Sequence, residues 1–149
     1  MTDIALLWDN DAFGADLALA EGDLATDDGL RTAFIISLFT DARARDDDPL
    51  PQDGADLGGW WGDAFANADE GPLGSRLWLL NREKKVGSTL LRGRDYAAEA
   101  VQWLIRAGVC SSIDVEVEAQ GNRLAIALYP TRPNGPARQR YDFLWEGSV

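Results

Sequence analysis

The sequence predicts an α+β fold, in which a small antiparallel sheet packs against two main helices. Apolar residues recur at helical spacing in residues 28–42 and 88–108, and they alternate with polar residues toward the C-terminus. Antiparallel strands with one wet face need helices on the other face. A chain of 149 residues suits one domain with a sizeable core, so we expect residues 1–149 to form a single domain.

Three C-terminal segments predict the strands. "IDVEVEA" (113–119) alternates strictly, and "QGN" (120–122) follows as a turn. "RLAIALY" (123–129) returns along the first strand, and "RYDFLW" (140–145) supplies the third. Together they predict a three-stranded antiparallel sheet.

A second, shorter hairpin is predicted near the N-terminus, in residues 16–26. Leu17 and Leu19 would share a face of it, with a turn at Gly22. Thr26 or Asp27 would then cap the first helix.

The first predicted helix covers residues 28–42, with Asp27 and Asp28 near the positive end of its dipole. Its apolar residues form two stripes, so two sides of the helix should be covered. One cover would be the sheet, and the other either the following segment or another chain. The stripes are Leu30, Ala33, Phe34, Ser37 and Leu38, and Ile35, Phe39 and Ala42.

A long irregular excursion is predicted for residues 43–74, because "RARDDDPLPQDGADLGG" (43–59) is rich in aspartate, proline and glycine. A short apolar helix should follow within residues 71–85, capped by Ser75. The second main helix, 88–108, should stop at Gly108.

Charge is distributed unevenly along the chain. The net charge is −11, and we count 17 acidic and 3 basic residues in 1–75 against 8 and 11 in 76–149. The acidic surplus either keeps the surface soluble or provides head-to-tail complementarity with protein partners. Nucleic acid is not an expected partner. A membrane is not expected either, because no apolar run is long enough to span one and "MTDIALLWDN" is a poor secretory signal.

The chain has no histidine and one cysteine, Cys110. Imidazole bases and most zinc sites are therefore excluded, as is an intrachain disulfide. Cys110 follows the negative end of a helix, so we interpret it as a small buried residue in a protein that folds in a reducing cytoplasm.

"GGWWGD" (58–63) offers the best enzymatic lead. A carboxyl at Asp63 beside Trp60 and Trp61 would lose solvation and could act as a general acid in a peptidoglycan-cleaving glycosidase. A second carboxylate at a fixed separation is then required, and glycine-flanked loops position such pairs poorly. The pair of tryptophans could instead be core, or one could anchor inward while the other meets a partner.

Cofactor and metal motifs are weak. Asp46–Asp48 lacks the alternating ligand pattern of a calcium loop, and no Lys-Ser or Lys-Thr follows the glycines of "GADLGG". We predict no catalytic, metal or cofactor site.

The order of motifs resembles the Mu-like phage baseplate wedge protein family of contractile tails. "SLFTDARA" is followed by an acidic proline loop, "GGWWGD", "GSRLWLLNREK", "WLIRAGV" and alternating strands. The resemblance covers about residues 1–145, and "GWWGD" followed by "GSRLWLL" is its most specific part. Small wedge proteins of other contractile systems carry a Glu-Pro-Arg turn after their first long helix. "RARDDDPLPQ" (43–52) lacks it, so their contacts do not transfer.

The resemblance implies a lysozyme-like wedge component that acts structurally, without enzyme activity or cofactor. It implies other wedge and tail proteins as partners, and six copies in the assembled baseplate from a subunit that is monomeric when free. The location implied is the virion tail baseplate, after assembly in the host cytoplasm.

Five residues are predicted to form the interface or to anchor its loop. They are Trp60, Trp61, Asp63, Arg76 and Trp78. Asp63 would hold the loop by accepting hydrogen bonds from backbone N–H groups or from Arg76, and we expect the arginine pairing.

Overall fold

The described part of the chain contains nine strands, three α-helices and two 3-10 helices in this computed structural model. The structure describes residues 3–27, 29–52, 54, 56–84, 86–135 and 138–147. The N-terminal strands are β1 (Asp3–Ile4), β2 (Leu6–Asp9), β3 (Gly14–Leu17), β4 (Leu19–Ala20), β5 (Asp23–Leu24) and β6 (Thr26–Asp27). Then follow α1 (Leu30–Phe39), 3-10 helices at Trp61–Phe65 and Leu77–Leu80, α2 (Gly87–Ala100), α3 (Gln102–Arg106), β7 (Ser112–Gln120), β8 (Arg123–Thr131) and β9 (Tyr141–Glu146).

The predicted C-terminal sheet is confirmed. Its strand order is β7-β8-β9, with antiparallel pairing on both sides of β8. Gly121, with a φ of 64°, lies in the tight turn between β7 and β8. The α+β class with a small antiparallel sheet is therefore correct.

The core lies between this sheet and the helices. Helix α2 packs against β7 and β8, and α1 packs against α2. Burying each large apolar side chain stabilises the fold by about 1.5–3 kcal/mol. The largest fully buried side chains include Phe34, Leu38, Leu77, Leu80, Leu104, Leu124, Ile126, Leu128 and Phe143.

The start of the first helix differs from the prediction. Helix α1 begins at Leu30, and the residue before it is Gly29, whose φ is 79° and which provides no side-chain cap. Thr26 and Asp27 instead pair with β1 as strand β6, so the predicted cap is wrong. Asp28 and the side chain of Asp27, expected near the helix dipole, lie outside the described residues.

The second predicted helix is two helices. Helix α2 ends at Ala100, and α3 starts again after Val101, whose φ of −101° and ψ of 2° interrupt the ladder. The predicted stop is confirmed, since Gly108 has a φ of 77°. Ala107, which caps the C-terminal end of α3, is exposed.

The short helix predicted in residues 71–85 is a single 3-10 turn, Leu77–Leu80, and Arg76 rather than Ser75 precedes it. Ser75 is fully enclosed, and its hydroxyl donates to the Leu38 carbonyl at 2.6 Å. The same hydroxyl accepts the Leu77 N–H at 3.4 Å, so the residue predicted as a cap bonds to the first residue of the turn and ties it to helix α1.

The N-terminal segment is a set of three short antiparallel pairs, two of them hairpins, rather than the one hairpin predicted. Strands β2 and β3 pair, β4 and β5 pair, and β1 closes the set with β6. The predicted turn at Gly22 is confirmed within the second pair. Leu17 and Leu19 lie in different strands and both are exposed, so they do not form a shared buried face.

The second apolar side of α1 is covered by this N-terminal segment. The Trp8 indole of β2 stacks on Phe39, with ring centroids 3.5 Å apart and planes 9° from parallel. Trp8 also donates to the Leu144 carbonyl at 3.3 Å, which joins the cover to β9. The cover is therefore intramolecular and comes from the segment before the helix.

Two further tryptophans lie against the core. Trp145 is buried, and the Trp103 indole donates to the Ser37 hydroxyl at 2.8 Å.

Among the helices of the described residues, none combines the length and apolar character that crossing a bilayer requires.

Candidate docking surface

Three exposed aromatic side chains cluster on the loop between α1 and the second 3-10 helix. Trp60 is 42% exposed, Trp61 76% and Phe65 82%. The rings of Trp60 and Trp61 are 5.5 Å apart, and those of Trp61 and Phe65 are 6.2 Å apart. We name these three residues the aromatic patch. Trp61 and Phe65 are the first and last residues of the 3-10 helix Trp61–Phe65, so this one short helix brings their rings together.

A glycine within the patch permits its shape. A Cβ added at Gly62 would lie 2.2 Å from the Trp60 ring, so the indole folds directly over the backbone of the next turn. Neither Trp60 nor Trp61 points into the core, contrary to the idea that one of them anchors the loop inward.

The inward anchor of the loop is Trp78. Its indole N–H donates to the Ala42 carbonyl at 2.7 Å. The ring also lies against Gly58, where an added Cβ would approach it to 3.0 Å. Trp78 thus holds both ends of segment 42–58, which leads into the aromatic patch.

Backbone hydrogen bonds hold the two ends of the loop together. Ser75 N–H donates to the Thr40 carbonyl at 2.8 Å, and Ala42 N–H donates to the Ser75 carbonyl at 2.9 Å. These bonds form a parallel bridge between Asp41 and Ser75. The long excursion therefore starts and ends at one place beside helix α1.

Arg76 makes the charged contacts that hold the loop closed. Its guanidinium donates to the Asp48 carboxylate at 2.7 Å and to Glu99 of α2 at 2.8 Å. The same cation lies 4.6 Å from the centroid of the Tyr96 ring. Only 12% of the Arg76 side chain and 9% of the Asp48 side chain are exposed, so this ion pair is poorly screened by water.

These contacts change the protonation equilibria of both groups. Burial raises the Asp48 pKa, but the Arg45 N–H and the Arg76 guanidinium outweigh it, and the pKa is lowered overall. For Arg76, burial lowers the pKa, while Glu99 and Asp48 raise it above its ordinary value. Both groups are therefore held in their charged forms.

The expected pairing of Asp63 with Arg76 is wrong, and the backbone alternative is what the structure shows. Asp63 accepts a hydrogen bond from the Leu73 N–H at 3.0 Å. Arg76 bonds instead to Asp48 of the loop and to Glu99 of α2. Asp63 thus closes the inner turn of the loop, and this contact needs only an acceptor.

The other residues considered for chemistry, the aspartate run and the cysteine, make structural contacts. In the aspartate run Asp46–Asp48, considered as a calcium ligand, Asp48 is committed to Arg76 and to the Arg45 N–H. Within the described ranges, no three Cys, Asp or Glu side chains are grouped as a metal site. Cys110 is buried as expected, and burial raises the pKa of its thiol.

Sequence reasoning missed Phe65 and the partners of Arg76. Phe65 follows Trp61 by four residues within "WWGDAF", a spacing that brings two rings together only if the segment turns. Asp48 and Glu99 are 28 and 23 residues from Arg76, so no local pattern joined them to it.

A known protein family matches both the loop and strands β7 and β8 of the sheet. A family model described as phage protein GP46 matches residues 30–137. The chain is 50% identical over 118 residues to the baseplate protein gp46 of Escherichia phage Mu, covering 79% of this chain and 78% of that protein. It is 36% identical over 141 residues to the Mu-like prophage FluMu protein gp46 of Haemophilus influenzae, covering 94% of each chain. On these matches, the chain belongs to the phage GP46 protein family.

Proposed function

We propose that this protein is a structural component of a phage tail baseplate and acts through protein–protein contacts. The observation that carries the proposal is the relationship to a protein named as a baseplate protein of phage Mu, which is 50% identical over most of both chains. The finer role is wedge assembly in a contractile tail of a phage, prophage or tailocin. The subunit would be a free monomer in the host cytoplasm and would enter the virion baseplate in six copies.

The aromatic patch is the docking surface in this proposal. Tryptophan and other aromatic side chains are enriched among residues that dominate binding energy at interfaces. Trp61 and Phe65 are each more than three-quarters exposed, although transfer of such rings out of water is favourable. Trp78, Asp63 and Arg76 serve as positioning residues, because they fix the loop within segment 43–74 that presents the patch.

A non-catalytic role also agrees with the use of Asp63. Its carboxylate is engaged by the Leu73 N–H within the loop, a contact that explains the residue without any substrate. The indoles beside it are directed to the surface, where they favour a partner.

The proposal is tested by Trp61→Ala in the phage or prophage that encodes the protein. We expect unfolding stability to change by less than about 0.5 kcal/mol, because the side chain is exposed. Loss of an interface anchor should cost about 2 kcal/mol or more, roughly thirtyfold in affinity, and prevent complete baseplates. Electron microscopy of particles and infectivity measure the outcome.

Leu91→Ala is the matched control, because Leu91 is 56% exposed on α2 and lies outside the loop. It should leave assembly intact. Complete, infectious tails from the Trp61→Ala mutant would contradict the docking role of the patch. Lysis of peptidoglycan by the purified protein, abolished by Asp63→Asn, would instead establish a glycosidase.

A further inference from the structure

A cleft rich in arginine lies beside the loop that carries the aromatic patch. It has a volume of about 480 Å³ and is bounded by loop residues 42–45 and 68–76 and by the ends of helices α2 and α3. Four arginines line it, whereas only two carboxylates do. The arginines are Arg43, Arg45, Arg76 and Arg106, and the carboxylates are Asp69 and Glu99. The lining therefore carries a formal charge of +2 in a chain whose net charge is −11.

The four arginines are not equally engaged. Arg76 is enclosed and bound by two carboxylates, and Arg45 shares Glu99 with it. Among the described residues, Arg43 forms no ion pair. Arg106 hydrogen-bonds, among the residues that the structure describes, only to a backbone oxygen, the Glu70 carbonyl at 3.4 Å. Within the described part of the chain, the Arg43 guanidinium and the remaining N–H groups of Arg106 are thus available to an anion.

Both of these arginines lie against glycines of the loop. A Cβ added at Gly59 would lie 3.0 Å from the Arg43 Cβ, and one at Gly71 would lie 3.5 Å from an Arg106 guanidinium nitrogen. The approach at Gly59 is tight, so an added Cβ there would press on Arg43, whereas the one at Gly71 is an ordinary contact. A guanidinium offers a planar pair of donors, which matches a carboxylate in bidentate geometry.

We propose that this cleft binds the carboxylates of an acidic, extended segment of a partner protein, using Arg43 and Arg106 as the primary contacts. This site is distinct from the aromatic patch, and its existence does not depend on the baseplate assignment. Charge complementarity identifies the occupant. A few carboxylates match a lining whose excess is two positive charges, or one when the Asp48 carboxylate that binds Arg76 is counted. A long polyanion such as nucleic acid would be repelled by the rest of the chain.

A second copy of the chain is a poorer occupant on the same grounds. Two copies each carry −11, so their mutual repulsion opposes association before any local contact forms. A short segment with few charges avoids most of that cost. Binding of an acidic probe by so acidic a protein would also indicate a specific site, since general attraction is absent.

The test is a titration of the ¹⁵N-labelled full-length protein with an end-blocked hexaglutamate peptide, observed through amide and arginine Nε–H signals. We expect saturable shifts at Arg43, Arg106 and their loop neighbours, which weaken as salt is added. The double variant Arg43→Gln/Arg106→Gln should lower affinity about tenfold, as expected for loss of two charge-assisted contacts.

The control is Arg94→Gln/Arg138→Gln, which changes the net charge equally but removes exposed arginines paired with Asp95 and Asp114. It should lower affinity less than about twofold. If the cleft double variant does not fold, Arg43→Lys and Arg106→Lys provide the comparison, because they keep the charge and lose the planar fork.

Several outcomes would overturn the proposal. One is an equal loss of affinity in both double variants, and another is the absence of shifts in the cleft up to about 10 mM peptide. Tighter binding of a hexathymidine oligonucleotide would assign the cleft to phosphate. Concentration-dependent dimers in sedimentation that the peptide dissociates would assign it to a second copy. None of these results bears on Trp61→Ala, so the two proposals fail independently.

Discussion

At the scale of single residues, Arg76 shows how one buried cation organises a loop. Its partners come from two distant segments, Asp48 in the loop and Glu99 in α2, and its flat face lies against Tyr96. Exposed ion pairs contribute little because water screens them. This pair is nearly enclosed, so removing one partner leaves a charge with less compensation.

We therefore predict that Asp48→Asn lowers the free energy of unfolding at pH 7 by about 2 kcal/mol. The Asp48 pKa is lowered in the folded protein, so its contribution is fully present above its ordinary value of 3.8. The contribution is lost as the pH falls through the lower folded value, because protonation then removes the charge. Urea unfolding at pH 7 and at about pH 2.5 measures this difference.

The control for this prediction is Asp142→Asn. Asp142 also pairs with an arginine, Arg140, but both side chains are 60% exposed. Asp142→Asn should lower the free energy of unfolding by less than about 0.5 kcal/mol. An Asp48→Asn effect of equal size at both pH values would show that packing, rather than charge, holds the loop.

At the scale of elements, the loop depends on backbone geometry that only glycine supplies at one position. Gly74 has a φ of 104°, and a Cβ added there would lie 2.3 Å from the Thr40 carbonyl oxygen. That oxygen accepts the Ser75 N–H, so the close approach is part of the bridge that closes the loop. An L side chain at residue 74 would push the two strands of this bridge apart.

Gly74→Ala is accordingly expected to lower the free energy of unfolding by about 3 kcal/mol, from backbone strain and from the lost hydrogen bonds. Chemical denaturation measures the change. Gly87→Ala is the matched control, because Gly87 begins α2 at an ordinary φ with nothing within 4 Å of the added Cβ. If both variants were equally stable, the bridge would not be under steric constraint.

At the scale of the whole molecule, the N-terminal hairpins pack against helix α1 and form part of the core. The backbone groups of Ala5, Ala18 and Ala25 bond to one another at 2.8–3.1 Å, which joins the hairpins at one point. Leu6 N–H donates to the Thr32 hydroxyl of α1 at 3.1 Å, and Trp8 covers Phe39. Helix α1 is thus enclosed between the hairpins and the rest of the core.

We predict that Trp8→Ala lowers the free energy of unfolding by about 3 kcal/mol, because it removes the cover of Phe39 and the bond to Leu144. Equilibrium unfolding and amide hydrogen exchange in α1 measure the loss and its location. Trp61→Ala, which truncates the same side chain at an exposed position, is the control and should change stability little. A smaller loss for Trp8→Ala than for Trp61→Ala would contradict this role of the hairpins.

The sequence alone determined those features that depend on neighbours a few residues apart. Alternation in residues 113–119 specified a strand, and Gly108 specified the end of a helix, because pleat and helical turn are local geometries. The motifs "GGWWGD" and "GSRLWLL" also identified the family, because the order of motifs can be read directly from the sequence. The same local reasoning failed at the first helix cap, where strand pairing with β1 claimed Thr26 and Asp27.

Only the tertiary structure decided which distant residues meet. Arg76 could have paired with Asp63, thirteen residues earlier, but the fold gave it Asp48 and Glu99 and gave Asp63 the Leu73 N–H. In "GGWWGD", the sequence showed two tryptophans and left their direction open. Packing placed Trp78 inward and left Trp60 and Trp61 at the surface. Long-range pairing depends on how elements close on one another, and a charge pattern along the chain does not specify that closure.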